Sequence, residues 1–307
     1  FQFAVAGTLV GVETPRQSVN FEVKPYGLAS LTTDRTAAVP LNNDGSGDAG
    51  FDVKYGLTRG LIADFTYNTD SAQVEVDEQQ VNLTRFSLFY PEKRDFFLEG
   101  QGVFAFGGAQ LNMGGSGRFG GGQGTGGTSA SAFVPILFFS RRIGFTQDTG
   151  QAIPIVVGER VAGKAGAFGI GGLNIRTADN SGLNAVATDF SVLRLKRDIL
   201  RRSNVGMIFT RRAPSGGASA DNLSLGLDAA FLFYQNVFVN GYYAKSRTSG
   251  LSGGDASYRG QFNYRADRYG LMLEHLVVGE HFNPEVGFLK RDDFRQTLAQ
   301  VRFSPRP

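Results

Sequence analysis

The chain has 307 residues, 31 basic against 28 acidic side chains for a net charge of +3, 42 glycines, 27 phenylalanines and neither cysteine nor tryptophan. The missing cysteines exclude a disulfide framework and a thiolate metal site, and basic residues scattered among acids argue against nucleic acid as a partner. A membrane-crossing helix needs about 20 consecutive apolar residues, so the longest apolar run, at 133–139 and broken by Pro135, excludes a helical membrane protein.

What remains suits glycine-linked, aromatic-rich strands. In chain order, period-two alternation marks residues 21–26, 51–57 and 61–67, and then 186–195, 205–209, 223–233, 237–243, 258–266, 269–275 and 297–303. In the clearest run Tyr258, Phe262 and Tyr264 alternate with Arg259, Gln261 and Arg265, so one face suits hydrocarbon and the other water. Clusters at 42–47, 178–182, 214–217 and 249–254 are expected as turns. A soluble sandwich would also alternate. However, these runs reach the length of a tilted membrane-crossing strand, short connections alternate with long ones, and the polar faces carry arginines that a sandwich core could not hold unpaired. A mean hydropathy of −0.14 fits as well, because a barrel shows only alternate residues to lipid. The expected fold is all-β, an antiparallel transmembrane β-barrel of about 14 strands in the bacterial outer membrane. The C-terminal residues lack a terminal aromatic, and the barrel is expected to be truncated at both ends.

Two regions break the alternation. Residues 71–100 are charged and aromatic, and Phe86, Leu88, Phe89, Phe96, Phe97 and Leu98 need cover, so this segment is expected to fold into the lumen or against a rim. Residues 107–128 are nearly all small and polar, and are expected to form a dispensable surface loop.

Within the first region, Glu92, Lys93, Arg94, Asp95 and Glu99 set charges of both signs beside aromatics. They read either as a lumen constriction for polar solutes or as an ion-pair network that pins the inward segment. Arg141 and Arg142 are adjacent, so on a strand only one of them could share the lumen with Glu92 or Glu99. Other motifs fail on their own chemistry. Gly158, Gly163 and Lys164 begin a phosphate-binding loop, but Ala165 stands where a hydroxyl is needed. Gly122, Gly124 and Gly127 match a dinucleotide fingerprint inside a low-complexity stretch with no strand before it. Asp44, Ser46 and Asp48 have calcium-loop spacing without the glycine or the bidentate glutamate. No cofactor or metal is expected. His275 and His281, beside Glu274 and Glu280, are the residues a hydrolase would use, and nothing fixes a nucleophile near them.

Residues 50–100, followed by FFSRRIG at 138–144, resemble a family of exported bacterial proteins whose barrel region is a domain of unknown function. Members usually carry an N-terminal carbohydrate-binding-like domain of the family-nine type. This chain has Asn68, Thr69, Asp70 and Ser71 where the family has Asn-Pro-Asp-Phe. The first functional expectation is a channel or conduit for polar solutes, and the resemblance implies saccharides among them. The residues themselves leave two further readings: a plugged barrel that anchors or assembles a surface complex, with glycans or envelope proteins as partners beside outer-membrane lipid, and an outer-membrane hydrolase.

Overall fold

The computed structural model describes residues 20–34, 41–69, 89–109, 133–146, 150–215 and 221–305. Its frame is one antiparallel sheet of twelve strands, each paired with its neighbours in sequence. The strands are β1 (Phe21–Asp34), β2 (Leu41–Thr58), β3 (Leu61–Tyr67), β4 (Ile155–Ala165), β5 (Phe168–Thr177), β6 (Thr188–Ile199), β7 (Ser203–Pro214), β8 (Asn222–Phe233), β9 (Val237–Thr248), β10 (Ala256–Arg265), β11 (Tyr269–Val278) and β12 (Phe294–Phe303). The end strands β1 and β12 do not pair with each other among the described residues.

Connections sort by length onto the two edges of the sheet. Turns at 59–60, 166–167, 200–202, 234–236 and 266–268 lie on one edge, where β1 also begins and β12 ends. The long connections, 68–154 and 279–293 among them, lie on the other. The tight edge holds Leu200 and Tyr234 at positive φ, 53° and 57°. A side chain in that conformation costs about 1 kcal/mol or more.

Alternation gives the sheet two unlike faces. On one, Leu195, Met207, Leu227, Tyr243, Tyr258 and Val277 stand side by side across six strands without a charge. Leu227 is 56 % exposed and Tyr243 53 %. The other face is the buried one and carries Thr210, Asn222, Ser224, Arg194 and Arg259, so the polar face is inside. It is covered by segments from the long connections. Phe97, Phe104, Phe106, Leu137, Phe138, Ile143, Phe282 and Val286 form one core with Leu173, Ile175, Phe190, Val192, Ile208, Leu276 and Val278 of the strands.

Among the described residues the sheet has twelve strands, where about fourteen were expected of the chain, and two of the twelve were not legible in the alternation. On β4 and β5, Gly158 and Gly171 lie against the covering segment. A Cβ on Gly171 would stand 2.8 Å from the Phe104 ring, and one on Gly158 would stand 2.8 Å from the Thr66 methyl and 3.4 Å from the Phe96 ring. The stretch 42–47, expected as a turn, is instead part of β2, paired with β1 from Leu28–Asp48 through Thr32–Asp44. Asp44, Ser46 and Asp48 are thus strand residues. β1 and β2 extend into this glycine-rich stretch, where backbone pairing persists without an apolar side-chain pattern to announce it.

Candidate functional site

The site lies where the sheet meets the segments that cover it, at 89–109, 133–146 and 279–290. Three wall arginines, each on the inner face of its strand, carry the contact. Arg160 of β4 donates to Asp64 of β3 from Nε at 3.0 Å and Nη2 at 2.6 Å. Its Nη1 donates to the carbonyls of Phe96 and Glu99. Arg194 of β6 meets Asp228 of β8 in a two-pronged pair, at 2.6 and 2.8 Å, and lies over the Phe106 ring. Asp228 also accepts from the Gly107 amide at 3.1 Å. Arg259 of β10 pairs with Glu274 of β11 at 2.8 Å and donates to the Gly107 carbonyl at 3.2 Å. The three arginines are almost wholly buried. A buried guanidinium is costly unless it is paired and hydrogen-bonded. Here the inserted backbone supplies acceptors to Arg160 and Arg259 and a donor to Asp228, while Nε of Arg194 and of Arg259 has no partner among the described residues.

A second network organises the insert. The one-turn helix α1 (Asp95–Leu98) follows Glu92, which is buried and accepts from Arg94 Nε at 2.9 Å and Nη2 at 2.7 Å, and from the amides of Lys93 and Arg94. Arg94 reaches on to the carbonyls of Ile143 and Ser140, at 2.8 and 2.9 Å, and lies over Phe97 and Phe145. It thereby ties 89–109 to 133–146. Burial pushes the Glu92 carboxyl up, but the bonds and charge of Arg94 outweigh it and hold the group below its ordinary value. Glu99 is also held low, chiefly by Lys54 at 2.5 Å against partial burial, with Arg160 3.7 Å away.

The remaining sequence-predicted residues fall around this network. Lys93 is half-buried and Asp95 is exposed at the start of α1. Arg141 and Arg142 do not lie on a strand, so the opposite-face argument fails for them. They sit in a 3-10 turn, Ser140–Arg142, that the Phe139 carbonyl closes by accepting from the Arg142 amide. Arg141 lies over Tyr90 and Phe145 and donates to the Pro91 carbonyl at 3.4 Å. Arg142 donates to the Gly287 carbonyl at 2.9 Å, and burial lowers its pKa against the pull of Glu285. Glu92 is instead paired with Arg94, and Glu99 with Lys54 and Arg160.

Gly107 is one of the fixed points of the insert, and residues 110–132, with the rest of the expected loop and its glycine fingerprint, lie outside the described residues, as do 70–88. Gly158, Gly163 and Lys164 lie along β4, not on a loop before a helix. Glu274 points inward to Arg259, whereas His275 lies on the opposite face and meets Thr297 Oγ1 at 2.8 Å. His281 meets the Gly253 carbonyl at 2.8 Å. The two histidines are therefore on different elements and bonded to different groups. Among the described residues no group of three His, Asp or Glu side chains is placed to hold a metal ion.

Of the wall pairs, only Arg259 was assigned an inward position from its alternation. Arg160 was hidden inside the apparent phosphate-loop motif, and Arg194–Asp228 joins strands that are not adjacent, which local pattern cannot reveal.

No curated protein matches the chain. Residues 19–111, which span β1 to β3 and the first inserted segment, match the family described as Domain of unknown function (DUF5916).

Proposed function

We propose that the chain is an outer-membrane β-barrel whose lumen is filled by a clamped plug, and that it serves as a membrane anchor or assembly subunit of a surface complex. The observation that carries this reading is the inversion of the sheet. Its exposed face carries a belt of apolar side chains across β6 to β11, while the buried charges Asp64, Arg160, Arg194, Arg259 and Glu274 lie on its covered face, the arrangement of strands between lipid and lumen. Soluble proteins rarely expose contiguous apolar patches above a few hundred Å². Tight turns on one edge and long connections on the other fit periplasmic and outer rims. Leu200, 77 % exposed, and Tyr234, 93 % exposed, add apolar anchors at the level of a lipid interface. The apolar core and the three arginine clamps argue for a fixed plug over an open passage.

A conduit is the second reading, favoured by Asn240 Oδ1 and Glu274 Oε1, buried polar atoms with no protein partner among the described residues. In either case the outward face contacts lipid. Because the chain contains no cysteine, single cysteines report cleanly. In proteoliposomes, Phe262→Cys is expected to resist a water-soluble maleimide until detergent is added, and Leu251→Cys in a long connection to react at once. Rapid labelling at 262 in intact vesicles would contradict the membrane reading.

A further inference from the structure

The outward face is not uniformly covered. Between the row Leu195, Met207, Leu227 and the row Phe231, Val239, the residues paired across β8, β9 and β10 are Ala229, Gly241 and Gly260. These small residues form the floor of an apolar groove of about 810 Å³. A Cβ added at Gly260 meets open space, so the floor there is vacant and not filled from behind. One end of the groove is lined by Arg197 and Phe168, close to the tight turn at 200–202.

The charge at that end is unbalanced. Asp198 is taken by Lys164 at 2.9 Å, and among the described residues no carboxylate reaches Arg197, whose guanidinium lies 5.3 Å over the Phe168 ring. Arg201 and Arg202 are exposed on the adjoining turn. A groove with apolar walls and a cationic mouth at the rim matches a molecule with hydrocarbon chains and an anionic head.

We propose that this groove is a binding site for an anionic phospholipid, with acyl chain along Ala229, Gly241 and Gly260 and phosphate at Arg197. The site rests on the membrane-barrel reading, since only a lipid-embedded outer face would meet such a ligand. A basic residue at a membrane surface favours anionic over neutral lipid about fivefold.

The absence of tryptophan makes the test direct. A Phe231→Trp reporter sits in the groove, and a Val301→Trp reporter sits on β12 outside it. Each is reconstituted in phosphatidylcholine vesicles doped with dibrominated phosphatidylglycerol or dibrominated phosphatidylcholine, and bromine quenching is compared at equal mole fraction. In the groove reporter the glycerol lipid is expected to compete about fivefold better than the choline lipid. Adding Arg197→Gln should abolish that preference, adding Gly260→Leu should reduce quenching by either lipid, and the β12 reporter should show none of these effects. Equal quenching of the groove reporter by both lipids, unchanged by Arg197→Gln, would overturn the site while leaving the membrane reading intact. A dimer by light scattering that Gly260→Leu dissociates, without lipid preference, would assign the groove to a second copy and overturn the proposal. No quenching of either reporter would refute the membrane reading itself.

Discussion

Arg194→Met is expected to lower the stability of the folded chain by about 3 to 5 kcal/mol, the usual cost of removing one partner of a buried ion pair. The substitution leaves Asp228 with only the Gly107 amide, inside a region closed by Phe106, Leu137 and Tyr242. Removing both charges should be far milder, because the cost lies in the stranded carboxylate and not in the lost attraction. Arg194→Met combined with Asp228→Leu is therefore expected to recover most of the loss, short of the one bond owed to Gly107. The check is thermal or urea unfolding of the single and double variants in the same detergent. Equal destabilisation by both would mean that the pair is not the linchpin of the contact.

Glu92→Gln should have a comparable effect and a characteristic pH dependence. Glu92 accepts from two guanidinium nitrogens and two amides, and its neutralisation strands Arg94 between Phe97 and Phe145, at a cost of about 3 kcal/mol. In the folded chain the carboxyl titrates below its ordinary value of 4.5. Its contribution is therefore fully present above that value and is lost as pH falls through the folded one. Glu92→Gln should flatten this acid limb in unfolding measurements below about pH 5. The constriction reading predicts otherwise, with ion selectivity moving toward anions when Glu92 and Glu99 are both neutralised and stability little changed.

The strand pattern was legible because outward and inward positions alternate with opposite chemistry, as at Tyr258, Arg259 and Phe262. It failed where another element substitutes for the side chain. On β4 and β5, Gly158 and Gly171 leave space for Phe96 and Phe104, and the sequence there looks like a glycine loop until the insert is in place. The need of Phe96 and Phe97 for cover pointed to an inward segment. What no local pattern could reveal was the partner set. Arg194 and Asp228 are 34 residues apart, Arg160 reaches back 96 to Asp64, and Arg259 meets Gly107 across 152. Arg141 and Arg142 show the opposite failure, since adjacency predicts opposite faces only on a strand, and they lie in a turn.

An insert whose backbone bonds to the wall at Arg160, Asp228 and Arg259 has a direct electrical consequence if it plugs a barrel. In planar bilayers the unmodified chain is expected to insert without conducting. A variant in which a short glycine-serine linker replaces residues 70–150, joining β3 to β4 directly, is expected to give stable stepwise currents once shown to be folded. Stepwise currents of similar size from the unmodified chain would contradict the plugged-barrel account and establish a conduit in its place.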